Sequence, residues 1–222
     1  MNFRIPAVIA SSAALAFGVA ACGGDDSSSS GSSSSSQKSS VKPVAQIDQL
    51  TGQNTSVALD KGFVDALTSL KVTPAPVGTA KITKEGSAVF PITGGNVTYY
   101  KPGSISPYVQ GKINHEGSGL SLTAGGTKVD LEDFVVDPGT STLTGKVSVN
   151  GKEAAASAPL FFLDGRTLKP LEAKDNGTAV LTGTTVKLKK EAADLLNKTF
   201  KIDALKKNLV IGVATITVNT GA

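Results

Sequence analysis

The chain of 222 residues contains a single histidine, His115, within the segment K-I-N-H-E-G-S-G-L-S-L at residues 112–122. Histidine is the usual base that activates a nucleophilic serine, and it is a common ligand of metals and of haem iron. No G-x-S-x-G sequence accompanies it, and one imidazole beside one cysteine cannot build a multi-ligand zinc site. We therefore exclude triad catalysis and expect His115 to be a ligand-binding residue or a polar residue beside a glycine-rich turn.

The tyrosines lie close to this histidine in the sequence. The chain has three of them: Tyr99, Tyr100 and Tyr108. A tyrosine can ligate haem iron, but paired aromatic residues on a strand also serve as core or edge packing. Both interpretations stay open, and these tyrosines join His115 as candidate haem- or ligand-binding residues.

A carboxylate cluster follows, composed of Asp130, Glu132, Asp133 and Asp137. Paired carboxylates catalyse glycoside hydrolysis, and carboxylate oxygens bind calcium. Alternation along residues 127–134 places Asp130 and Glu132 on the polar face of a strand, and Asp137 begins a D-P-G turn. We expect a solvated strand face, no metal site and no enzyme activity.

The amino terminus predicts export and lipidation. Residues 1–21 combine one positive charge, Arg4, with an apolar run that ends in small residues, which is typical of a signal peptide. The sequence V-A-A-C at residues 19–22 resembles the bacterial lipobox. Cys22 is the only cysteine, so it has no disulfide partner within the chain. We predict an extracytoplasmic protein that is anchored to the cell membrane through acylated Cys22.

Residues 22–40 are predicted to form a flexible linker. Serine dominates residues 23–40, and no apolar side chain is available to bury. A chain of this length spans roughly 25 Å. Removing Arg4 from the 22 basic residues leaves 21 against 18 acidic ones, a net charge of +3. This mild and dispersed charge gives no support for binding to nucleic acid.

Residues 41–222 predict one all-β domain, an antiparallel, sandwich-like structure with two short helices. Segments rich in Val, Ile, Thr and Phe alternate with glycine, proline and asparagine turns. Asn150-Gly151 favours a type I′ hairpin turn, and the alternation slips between Glu132 and Phe134, which indicates a β-bulge. Apolar residues at helical spacing predict helices over residues 60–70, with Asp60 as the N-cap, and over residues 189–200.

Four segments in order resemble the Htaa domain family of actinobacterial exported proteins. They are G-S-A-V-F-P-I-T-G-G at 86–95, G-K-I-N-H-E-G-S-G-L-S-L at 111–122, V-D-L-E-D-F-V-V-D at 129–137 and T-G-T-T-V-K-L-K-K-E-A-A-D-L-L-N at 182–197. The resemblance covers about residues 50–219. It implies a β-rich surface domain, and the best known members of the family bind haem and pass it toward an importer.

The resemblance transfers only in part to the haem site. The histidine of the family matches His115, although this sequence has one extra residue in H-E-G-S-G-L. Phe63 matches the family's phenylalanine, but Ala66 stands where haem-binding members have the tyrosine that ligates iron, and alanine cannot do so.

We therefore predict a non-catalytic, lipid-anchored surface protein of the cell envelope without a bound cofactor. Its domain is expected to bind an envelope ligand or protein partner near residues 96–120. The alternatives are a haem-binding uptake lipoprotein that uses His115 and an envelope glycan hydrolase that uses the carboxylate cluster.

Overall fold

The computed structural model describes residues 41–220, which form one antiparallel sheet and two helices. The strands are β1 (Ala45–Ile47), β2 (Gln53–Leu59), β3 (Thr73–Gly78), β4 (Lys81–Ile82), β5 (Ser87–Pro91), β6 (Gly94–Tyr99), β7 (Val109–Ala124), β8 (Thr127–Asp137), β9 (Thr142–Val149), β10 (Lys152–Asp164), β11 (Glu172–Lys174), β12 (Thr178–Leu188) and β13 (Val210–Asn219). The helices are α1 (Lys61–Ser69) and α2 (Lys190–Phe200), and a 3₁₀ turn spans Gly165–Thr167. No helix in this part of the chain is long and apolar enough to cross a membrane.

The strands follow the order β1-β6-β7-β8-β9-β10-β12-β13-β2-β5-β4, with β3 beside β7 and β11 beside β12. This single sheet curls, so that strands from distant places in the order face one another across a shared interior. The all-β, antiparallel prediction with two helices is confirmed, and the facing layers of the sandwich-like arrangement are parts of one continuous sheet.

The predicted hairpin turn and the predicted bulge are both present in the structure. Asn150 and Gly151 both have positive φ, 51° and 78°, and they join β9 to β10 as a type I′ turn requires. The register between β8 and β9 shifts after Glu132, so the predicted bulge is present. Asp133 has a φ of 53° at this point.

Both predicted helices are present. The side chain of Asp60 accepts hydrogen bonds from the backbone N–H groups of Gly62 and Phe63, which satisfies two donors that the first turn leaves unpaired. Phe63 and Leu67 of α1 are buried against the sheet, as are Ala192, Ala193 and Leu196 of α2. Each helix therefore buries an apolar face, as expected of an amphipathic helix on a sheet.

Candidate functional site

The curled sheet encloses a cavity of about 640 Å³. Most of the side chains that line it are aliphatic or aromatic, and they come from both halves of the sheet. Leu131 on β8 and Ile211 on β13 both line it, although three strands separate β8 from β13 in the sheet. A cavity of this size and lining is suited to an apolar small molecule.

His115 lines the cavity and is buried, with only 2% of its surface exposed. Its Nδ1 lies 2.9 Å from the carbonyl oxygen of Pro91 at the end of β5, and its Nε2 lies 3.2 Å from Oγ1 of Thr55 on β2. His115 belongs to β7, which is distant from β2 and β5 in the strand order. Its ring therefore joins the two halves of the curled sheet.

These partners determine the tautomer of the ring. A carbonyl oxygen can only accept, so Nδ1–H donates to Pro91 and the lone pair of Nε2 accepts from the Thr55 hydroxyl. Burial lowers the pKa of His115 below its usual value, since desolvation outweighs the hydrogen bonds to the Pro91 and Phe90 carbonyl groups that favour the protonated form. The imidazole is consequently neutral near pH 7, with both nitrogens engaged.

The prediction of a glycine-rich turn beside His115 was wrong. Strand β7 continues without a break from Val109 to Ala124, and residues 116–118 form a bulge within it. His115 pairs with Phe134 and Gly119 pairs with Glu132, so β7 uses four residue steps where β8 uses two. The bulge is held by hydrogen bonds within β7 and to β8, including Gly117 N–H to the Asp133 carboxylate at 2.9 Å.

The structure brings two of the three tyrosines to the cavity. Tyr99 and Tyr108 line it, with ring centroids 5.8 Å apart and planes at 90°, whereas Tyr100 is not among the lining residues. Burial, followed by the proximity of Tyr99, raises the pKa of the Tyr108 hydroxyl. This edge-to-face pair is an aromatic packing arrangement.

Two charged residues line the cavity, Asp164 at the end of β10 and Arg166 in the 3₁₀ turn. Arg166 donates from Nε to Asp164 Oδ1 at 2.8 Å and from Nη2 to Oδ2 at 2.6 Å. Lys187 on β12 donates to the same Oδ2 at 2.8 Å. These bonds, first from Arg166 and then from Lys187, hold the pKa of the Asp164 carboxyl well below its usual range.

The sequence reasoning missed this charged cluster. The one feature of the sequence that could have indicated this cluster is that Arg166 is the sole arginine after Arg4. Thr55 and Pro91 were also missed, because nothing local in the sequence shows that β2 and β5 meet β7 at His115.

The carboxylate cluster is spread along β8. Glu132 lies 3.7 Å from Lys146 Nζ, and Asp130 lies 2.9 Å from Lys128 Nζ. Asp130 is buried between Ser121 and Ser148 on the neighbouring strands, so the expectation that it lies on a solvated face was wrong. Residues 41–220 contain no group of three or more His, Cys, Asp or Glu side chains arranged to hold a metal ion.

Two further residues named from the sequence lie away from the cavity or outside the described chain. Ala66 is half-buried on α1 and is not among the lining residues. Cys22 lies outside the described residues.

No protein-family model and no curated protein sequence matches this chain. Among solved structures, the C-terminal domain of HtaA from Corynebacterium glutamicum is similar with a TM-score of 0.54 and 12% sequence identity, covering 78% of this chain and 99% of that one. A histidine-to-alanine variant of the same domain, solved as a domain-swapped dimer, has a TM-score of 0.44 and 11% identity over 72% of this chain and 91% of its own. The described domain therefore has the fold of the HtaA C-terminal domain, as the resemblance in the sequence implied.

Proposed function

We propose that this domain is a non-catalytic binding module of the cell envelope that holds an apolar small molecule inside its curled sheet. The cavity of about 640 Å³ carries the proposal, because an interior of this size lies within the range of small-molecule sites, about 300–1,000 Å³. Its lining is apolar, with a few polar groups at the His115 end and near Arg166. Such a lining favours burial of hydrocarbon or aromatic surface.

Filling the cavity with protein is expected to prevent binding. Ala88 on β5 is buried and lines the cavity, so Ala88→Phe places a ring in the space that the ligand would use. N-phenyl-1-naphthylamine, an apolar dye that fluoresces more strongly in apolar surroundings, should bind the wild-type protein saturably. We expect its affinity to fall by roughly tenfold or more in Ala88→Phe, which corresponds to about 1.4 kcal/mol.

Ala58→Phe is the matched control. Ala58 lies on β2, next to the residue that pairs with Ala88, but it is exposed on the other face of the sheet. This variant should bind the dye as the wild type does, with an unchanged melting temperature. Absence of saturable binding to the wild type, or equal affinities in both variants, would refute the proposal.

We also propose that acylation of Cys22 holds the protein at the membrane and that residues 22–40 tether the domain to this anchor. The lipobox-like sequence V-A-A-C supports this proposal. Cys22→Ser should release the protein into the medium or leave the leader uncleaved, as shown by fractionation and by the mass of the mature chain. A processed Cys22→Ser protein that stays in the membrane fraction would contradict the anchor.

The cavity geometry favours a ligand without iron over haem. Ligation by His115 would require its Nε2 lone pair, which already accepts a hydrogen bond from Thr55. Haem binding through His115 stays a prediction of the resemblance, and a saturable Soret shift of added haemin that His115→Phe abolishes would establish it. Asp130 and Glu132 pair with lysines, and Asp133 and Asp137 accept backbone N–H groups, which favours a structural role over glycan hydrolysis.

A further inference from the structure

The lining of the otherwise apolar cavity includes two charged side chains, Asp164 and Arg166. Asp164 and Arg166 are the only Asp, Glu, Lys or Arg residues among those that line the cavity. Both belong to one cluster with Lys187, in which two cations share a single carboxylate. The cluster therefore has a net charge of +1 at neutral pH.

The exposure of the three side chains shows where this charge is available. The Asp164 side chain is 5% exposed and Lys187 is 21% exposed, whereas Arg166 is 82% exposed. Asp164 fixes the guanidinium through two parallel hydrogen bonds, which orients the planar group at the cavity wall. Within residues 41–220, Nη1 of Arg166 has no hydrogen-bond partner, and Lys187 Nζ uses one of its three donors.

The Asp164 carboxylate is already saturated by these donors. Its Oδ1 accepts from the backbone N–H and Nε of Arg166, and its Oδ2 accepts from Nη2 and from Lys187. Only the bond from the Arg166 backbone N–H is needed to cap the 3₁₀ turn. One cation would suffice to neutralise the Asp164 carboxylate, but two are present. Lys187 does not line the cavity, so the open Nη1 edge of Arg166 is the group of this cluster that is left to an anion from outside the chain.

We propose that the natural ligand is an amphipathic monocarboxylate with a long apolar body, whose carboxylate binds Arg166 Nη1 while its hydrocarbon chain lies in the cavity. This inference rests on the proposed function of the cavity. One carboxylate matches the single net positive charge of the cluster, whereas a phosphate monoester carries nearly two negative charges at neutral pH. The apolar body follows from the lining between the cluster and His115.

The test compares palmitate with methyl palmitate as competitors of bound N-phenyl-1-naphthylamine at pH 8. The two ligands differ only at the head group, which is charged in palmitate and neutral in the ester, so their difference in affinity reports the contact of that charge with Arg166. We expect palmitate to bind the wild-type protein about tenfold more tightly than the ester, since hydrogen bonds to charged groups are stronger than those to neutral groups. Higher salt should weaken palmitate binding and leave ester binding unchanged.

Arg166→Gln should remove most of the preference for palmitate and leave the affinity of the ester as it is. Lys169→Gln is the matched control, because it removes the same charge from an exposed residue three positions along the chain that belongs neither to the cavity lining nor to the Asp164 cluster. If Arg166→Gln proves unstable, Lys187→Gln tests the same cluster, because it lowers the net charge of the cluster from +1 to 0 and should also weaken palmitate selectively.

The outcomes separate this inference from the proposed function. Equal affinities of palmitate and ester in the wild type, or a preference that survives both Arg166→Gln and Lys187→Gln, overturns the carboxylate inference and leaves the apolar cavity site intact. Failure of the dye to bind the wild-type protein overturns the proposed function itself, and the inference with it. A stronger preference for dodecyl phosphate than for laurate, two ligands of equal chain length, also overturns the carboxylate assignment.

Discussion

Replacing His115 by phenylalanine is expected to lower the free energy of unfolding by about 2–4 kcal/mol. The Thr55 hydroxyl and the Pro91 carbonyl would lose the imidazole as their hydrogen-bond partner at a buried position, since His115 is 2% exposed. The phenylalanine ring preserves the aromatic contact with Phe90, whose centroid lies 6.3 Å from that of the imidazole. The loss should therefore report the two hydrogen bonds, as measured by urea unfolding at pH 7.

Lys112→Phe is the control for this variant. Lys112 lies three residues earlier on β7 and is exposed, so its replacement removes no buried hydrogen bond. Its effect on the free energy of unfolding should stay within about 0.5 kcal/mol. Equal stabilities of His115→Phe and Lys112→Phe would show that the ring does not join the halves of the sheet.

The same substitution should remove one part of the pH dependence of stability. The pKa of His115 is lowered in the folded protein, so below about pH 6.5 the unfolded chain binds a proton that the folded chain resists. The contribution of neutral His115 is thus complete above that pH and decreases as the pH falls below it. The difference in stability between wild type and His115→Phe should shrink over this interval.

His115 is the sole histidine, which makes this interval informative. Asp164 adds a separate dependence, because its lowered pKa stabilises the fold above the usual carboxyl range, and that contribution disappears only at more acidic pH. Parallel stability curves for wild type and His115→Phe between pH 7 and 5 would contradict the neutral, hydrogen-bonded imidazole.

The elements that the sequence predicted correctly are those whose causes are local. Asp60 caps the donors of the turn that follows it, and Asn150-Gly151 adopts the positive φ angles that suit these two residue types. The slip in the alternation along β8 likewise identified the bulge, although the same alternation wrongly placed Asp130 on a solvated face. Each of these features depends on residues within a few positions of one another.

The cavity could not be predicted because it depends on which strands meet across the curled sheet. Lys187 reaches Asp164 because β12 pairs with β10 in a register that places Lys187 opposite Phe162. His115 reaches Thr55 from 60 positions away in the sequence, through the approach of β7 to β2. Neither of these contacts between strands leaves a periodic signal in the sequence. The sequence therefore indicated which residue types could form a site, but not which of them lie close together.

The bulge in β7 affects the cavity, because it sets the position of the cavity-lining residue His115 relative to β8. Gly119 ends the bulge and pairs with Glu132. A Cβ atom added at Gly119 would overlap the carbonyl oxygen of Leu131 and lie 2.9 Å from the Cα of Glu132. These are backbone atoms of the paired strand, so relief requires that β7 and β8 separate or change register.

Gly119→Ala is accordingly expected to lower the free energy of unfolding by about 3 kcal/mol or more and to weaken dye binding in the cavity. Gly94→Ala is the control, because a Cβ at that position on β6 would meet no atom within 4 Å and its backbone angle is ordinary for alanine. That variant should match the wild type or gain slightly in stability, since alanine restricts the unfolded chain. Urea unfolding and dye titration of both variants test the expectation, and a Gly119→Ala protein as stable as Gly94→Ala would mean that β8 does not approach Gly119 so closely. If Gly119→Ala folds but releases the dye, the register of β7 against β8 controls the shape of the cavity as well as its stability.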